Sequence, residues 1–124
     1  MLILGIETAT DQVGCAIGGH EGVLASFHAA RGRRHAEILT PSIEFTCRQA
    51  RVDLREVGVI AVDLGPGLFT GLRVGVSTAK AMAQALRVPV IGVSSLDLLA
   101  FAVRYTNRLV VAAISTELPY RAVR

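Results

Sequence analysis

A chain of 124 residues, 52% of them hydrophobic, has the length and apolar material for one compact domain and leaves little room for two. Its formal charge of +3 at pH 7 sits on a charged fraction of only 19%, which describes a mildly basic globular protein and excludes a polycation. All the basic residues except Lys80 are arginine, a bias that suits bidentate contacts to phosphate or carboxylate but that codon composition produces as readily.

Two cysteines, Cys15 and Cys47, fall in an expected strand and an expected helix without metal-ligand or redox spacing, so we read both as small buried hydrophobes. The opening Met-Leu-Ile-Leu-Gly-Ile has no basic flank and meets Glu7 and Asp11 too early for a signal peptide. No stretch approaches the ~18 apolar residues of a membrane span. The expectation is a soluble cytoplasmic protein with no membrane partner.

Taken in order, Leu2 to Ile6 is an apolar run closed by Glu7-Thr8-Ala9-Thr10-Asp11, the pattern of a central strand entering a polar turn in which Glu7 and Asp11 cap. Gln12 to Ile17 alternates as a second strand, Gly18 to Gly22 is a hairpin loop, and Val23 to Ala30 returns as a third, giving an antiparallel meander. Arg31-Gly32-Arg33-Arg34 is a basic loop. His35 to Arg51 reads as a helix that Pro41 either kinks or restarts with Thr40 as cap, and Ile38, Leu39, Ile43, Cys47 and Ala50 share its apolar face. A connector at Asp53 to Glu56 leads to a fourth strand, Val57 to Leu64.

The richest stretch follows, Asp63 to Lys80. Gly65 and Gly67 flank Pro66 in a tight turn, and Thr70 is the expected N-cap of a helix from Gly71 to Leu86. Gly71, Gly75, Ala79 and Ala83 recur every four residues and make a stripe along which another backbone can approach closely. Val74, Thr78, Met82 and Ala85 are then expected against the sheet, with Arg73, Ser77, Lys80 and Gln84 in solvent. Val88 to Val93 is a fifth strand, Ser94-Ser95 caps a short helix from Leu96 to Val103, and Leu109 to Ile114 is a further apolar strand. The fold class is α/β: a ribonuclease-H-like lobe with a mixed five-stranded sheet in the element order βββαβαβ over residues 1–107. Residues 108–124 are expected to begin a second lobe that the chain does not finish.

Four blocks, Leu4-Gly5-Ile6-Glu7-Thr8-Ala9-Thr10, His35-Ala36-Glu37-Ile38-Leu39-Thr40-Pro41, Gly65 through Gly75, and Gly92-Val93-Ser94-Ser95-Leu96, together resemble the TsaB (YeaZ-like) family, in order, across residues 1 to about 114. The resemblance implies an actin-like two-lobe fold and a non-catalytic scaffold role. With TsaD-like and TsaE-like partners, such proteins install threonylcarbamoyl on adenosine 37 of tRNAs reading ANN codons. It implies that no cofactor belongs to this chain, ATP and metal being expected on the partner, and that tRNA is met only through the complex. TsaD-like proteins carry a metal-binding histidine run where this chain reads Ser94-Ser95-Leu96-Asp97-Leu98-Leu99. His20, His28 and His35 lack metal-site spacing.

The resemblance further implies that the two lobe helices pack against those of TsaD or of a second copy. The expected partner face is the Gly71, Gly75, Ala79 and Ala83 stripe with Ile38, Leu39, Phe45 and Leu72 as anchors, so that Gly75→Leu would break docking and leave the sheet folded. Gly65, Pro66, Gly67, Phe69, Thr70 and Arg73 form the structural turn, with Arg73 bracing it or reaching a partner carboxylate. Arg31, Arg33 and Arg34 are the candidate tRNA-contacting cluster, against the plainer reading of a solvated turn. Departures after Ile114, where Ser115 to Tyr120 replaces the family's usual run, leave a non-functional fragment open. The alternative class is an actin-like, sugar-kinase-like nucleotide-binding enzyme lobe, although the Thr8 to Gln12 loop lacks a phosphate-cradling glycine.

Overall fold

The computed structural model describes residues 1–30 and 34–114. Five strands form one sheet: β1 (Leu2–Glu7), β2 (Val13–Gly19), β3 (Gly22–Ala29), β4 (Val57–Asp63) and β5 (Val90–Val93), in the order β3-β2-β1-β4-β5. The first three are an antiparallel meander, with Ile6 opposite Cys15 and Leu4 opposite Ile17, and β4 and β5 add in parallel beside β1. The chain therefore places β1 in the middle, as its apolar run implied, because a strand with neighbours on both sides has every backbone group paired.

Two helices, α1 (His35–Ala50) and α2 (Phe69–Leu86), cover one face of this sheet, α1 over β2 and β3, α2 over β4, and touch each other between. Beneath them lie Leu4, Ile6, Cys15, Ile17, Ile60 and Val62 from the strands, with Leu39, Ile43 and Cys47 from α1. Both cysteines are free and buried, and that burial pushes both thiols up, keeping them neutral packing groups. A third helix, α3 (Ser95–Phe101), starts at β5, with Ser94 as its cap accepting Leu96 N–H at 3.2 Å.

Several expected boundaries shift for identifiable reasons. α1 runs through Pro41 without restarting, and Thr40 is an exposed helical residue, not a cap. Both long helices end on an arginine in the left-handed conformation, Arg51 and Arg87, and the next residue closes the turn, Val52 N–H to Cys47 O and Val88 N–H to Ala83 O, each at 3.0 Å. α2 begins before Thr70, which is therefore no N-cap: Leu68 holds that position with no side-chain cap, its own N–H donated to Ala9 O at 2.7 Å. The expected strand Leu109 to Ile114 is not formed. Beyond α3 the described residues make turns from Ala102 to Tyr105 and then no regular element, leaving Leu109 91% and Val111 81% exposed. An apolar run becomes a strand only where a sheet edge receives its backbone, and none does so here. The remainder of the proposed second-lobe start, from Ser115 on, lies outside the described residues.

Candidate functional site

The turn at Gly65 is held from the end of β4. Asp63 is buried, and its Oδ1 accepts the Gly65 N–H at 2.8 Å and a short hydrogen bond from the Ser95 hydroxyl. Ser95 N–H in turn donates to Gly65 O at 2.9 Å, so the start of α3 and the turn share one anchor. Gly65 sits at φ 95°, a conformation that resists any Cβ, and Leu72 of α2 packs against it. The run expected to differ from a metal-binding motif, Ser94 to Leu99, therefore has a structural use: Ser94 caps α3 and Ser95 fastens Asp63.

α2 is seated from the other side by the β1–β2 loop. The Thr8 hydroxyl, fully buried, donates to Gly71 O at 2.6 Å, and a Cβ on either Gly71 or Gly75 would collide with Thr8. Ala79 and Ala83, one and two turns on, are 0% and 7% exposed within the same packed surface. The stripe Gly71, Gly75, Ala79 and Ala83 thus faces the chain's own interior. This corrects its expected role as a partner-facing ridge; of Val74, Thr78, Met82 and Ala85, expected against the sheet, Val74 and Met82 do pack on the core from the flanks of the stripe. The first three lie half-buried on the flanks and Ala85 is exposed. Small residues recurring every fourth position permit close approach, but they do not say to what.

Of the expected anchors, Leu39 is buried in the core, Ile38 and Leu72 are half-buried, and Phe45 is 44% exposed, its ring edge-on to Phe27 at 6.0 Å. Phe69, expected to serve the turn, instead projects outward at 72% exposure, and the Arg73 guanidinium lies over its ring at 5.4 Å. Arg73 therefore braces an exposed aromatic, not the turn backbone, while Thr70 and Pro66 are exposed beside it. A groove runs between the helices along Ala36, Thr70, Arg73, Val74, Ser77 and Thr78. Arg34 forms a two-pronged, solvent-exposed ion pair with Glu37 at 2.8 and 2.9 Å. Arg31 and Arg33 lie outside the described residues.

Among the described residues the opposite sheet face is open. Gly5, Gly14, Ala16 and Ala61 floor a concavity of about 350 Å³, with Glu7, Asp63 and His28 at one side and Leu98 of α3 at its rim. Burial pushes the Glu7 carboxyl up, the Ala9 N–H it accepts at 2.7 Å pulls it back, and the neighbouring Asp63 raises it further. Glu7 thus caps its turn as expected. Of the histidines, His20 and His28 are exposed, and His35, at the start of α1, is buried with Nε2 2.6 Å from Thr10 O. Among the described residues no three His, Cys, Asp or Glu converge as metal ligands, and no helix is long and apolar enough to cross a membrane. Sequence reading missed Thr8 and His35 as fasteners; the one available signal was that each falls within one of the four motif blocks.

Comparison with known proteins places this architecture. Residues 23–117 match the family model described as "TsaD: tRNA N6-adenosine threonylcarbamoyltransferase". The chain is 38% identical over 113 residues to the tRNA N6-adenosine threonylcarbamoyltransferase of Protochlamydia amoebophila, covering 78% of this chain and 33% of that protein. The solved structure of YeaZ from Pseudomonas aeruginosa superimposes with a TM-score of 0.78 at 33% identity, covering 84% of this chain and 49% of YeaZ. RuvC (TM-score 0.54, 15% identity) and a ROK hexokinase (0.56, 19%), both from Thermus thermophilus, share the fold alone; they cover 81% and 82% of this chain, and 68% and 38% of those chains. The chain spans about a third of the curated transferase and about half of the solved relative. Its sheet and helices are a ribonuclease-H-like, actin-like lobe, and it belongs to the TsaD/YeaZ family.

Proposed function

We propose that this chain acts in threonylcarbamoylation of tRNA adenosine as a docking lobe, presenting the outer surface of α1 and α2 to a TsaD-type transferase or to a second copy of itself. The observation that carries this is Phe69 on α2, 72% exposed and braced by Arg73, which itself lines a groove between the two helices that no described residue fills. Exposed aromatics beside an arginine are the residue types that dominate protein interfaces. Support for a non-catalytic role comes from the Ser94 to Leu99 run, whose serines hold α3 and Asp63 where TsaD-like proteins carry imidazoles. On this reading ATP, metal and the reacting tRNA belong to the TsaD-like and TsaE-like members of the complex.

A second reading has its own support. The matched names are those of a transferase, and Glu7, Asp63 and His28 line one side of an open concavity, so the chain is alternatively a lobe of a nucleotide-handling enzyme. Two titrations separate them. Mixing the chain with a TsaD-family transferase and sizing the product by light scattering is expected to give a defined complex, weakened at least about tenfold by Phe69→Asp, as for an interface hot spot. Magnesium-ATP titrated onto the chain alone is expected to give no heat. A saturable ATP isotherm with no complex would reverse the assignment.

A further inference from the structure

The N-terminal ends of α1 and α2 are both fastened to three consecutive residues of the β1–β2 loop. Thr8 Oγ1 donates to Gly71 O at 2.6 Å, Ala9 O accepts Leu68 N–H at 2.7 Å, and Thr10 O lies 2.6 Å from Nε2 of His35, the first residue of α1. The loop is itself tied to the far side of the sheet, because the Glu7 carboxylate holds Ala9 N–H. Thr8 sits where the three elements meet: it is fully buried, its carbonyl abuts Gly71, its hydroxyl abuts Gly75, and the His35 ring lies within 3.0 Å of where a Gly71 Cβ would stand.

From this geometry we infer that Thr8 is a positioning residue for the helix pair: its hydroxyl sets how far the start of α2 stands from the start of α1. Phe69 and Arg73 lie in the first two turns of α2, and Ile38 and Phe45 lie on α1. A partner that touches both helices reads their separation, and Thr8 acts on that separation from beneath without being exposed to the partner. The inference rests on the reading of the outer helix surface as a docking face. It adds that the face is preset by one buried hydroxyl.

The decisive variants keep the volume and change the hydroxyl. Thr8→Val replaces the donor by a methyl of equal size, and Thr8→Ser restores the donor without the methyl. Nitroxide labels on Thr40→Cys and Ser77→Cys, both exposed and one on each helix, report the helix separation by pulsed electron spin resonance with no partner present. Thr8→Val is expected to broaden and shift that distance distribution and to weaken capture of a TsaD-family transferase by about tenfold, and Thr8→Ser is expected to restore both. A distribution for Thr8→Val that overlays the unsubstituted chain, or a Thr8→Ser protein that behaves like Thr8→Val, overturns the role. Should Thr8→Val not fold, Thr8→Ala, which only removes atoms, carries the same comparison with Thr8→Ser. If the unsubstituted chain captures no transferase, the docking reading falls, and the distance measurement still decides Thr8 by itself.

Discussion

On the helix-covered face of the sheet β1 and β2 place Leu4, Ile6, Cys15 and Ile17, none more than 4% exposed, whereas the neighbouring positions Gly5, Gly14 and Ala16 floor the open face. β4 repeats the division with Ile60 and Val62 beneath the helices and Ala61 on the other side, opposite Gly5 and next to the carboxyl-bearing Glu7 and Asp63. Alternation along each strand sends side chains of very different size to the two faces. One face is a finished core in which added volume has nowhere to go. The other is shallow enough for backbone to be approached from outside.

The largest expected effect comes from overfilling the finished face. Gly75→Leu should abolish cooperative unfolding or lower stability by at least ~3 kcal/mol, since its Cβ would already meet Thr8, and a urea melt followed by circular dichroism measures it. That reverses the outcome expected from sequence, in which the sheet survives and only docking is lost. Next is a pair that sets the two faces side by side. Ile60→Ala, fully buried under α2, should cost ~2–5 kcal/mol, and Ala61→Ser one residue on should stay within about 0.5 kcal/mol. Equal losses would mean that the open face is as tightly packed as the covered one.

The smallest effect is a pH signature of the open face. The Glu7 carboxyl is pushed above its ordinary value of 4.5 by burial, so the folded state binds a proton more tightly than the unfolded one. The stability tied to that proton is fully present below 4.5 and is lost as pH rises through the raised folded value. Glu7→Gln keeps an oxygen to accept Ala9 N–H and carries no charge, so its melting midpoint should gain on that of the unsubstituted chain as pH rises from 4.5 to 7. A constant difference across that range would show that the carboxyl is already well solvated.

Much of the lobe was readable before any coordinates. The period-two run at Val13, Cys15 and Ile17, the hairpin glycines, the Gly65-Pro66-Gly67 turn and the capped start at Ser94 each carry their instruction locally, and each element formed within a few residues of its expected place. The errors have physical causes of one kind. Leu109 to Ile114 has strand composition, but strand formation needs a second strand, which composition does not supply. Thr70 is a good cap residue that falls inside the helix, because α2 starts at Phe69, just after Leu68 is tied by its N–H to Ala9 O far off in sequence. Phe69 reads as part of a turn because its neighbours do, and only the rotation of α2 shows it to be a surface group.

What the sequence alone determined is the five strands of the sheet and their helices, their order and the central place of β1, because these follow from hydrophobic period and turn chemistry within short windows; the family came from the resemblance of four motif blocks. What the tertiary structure alone decided is which side of α2 faces inward. The small residues from Gly71 to Ala83 would serve equally against a sheet or against another protein, and the choice was made by a hydroxyl 63 residues away, Thr8 on Gly71 O, through a contact that no local window contains.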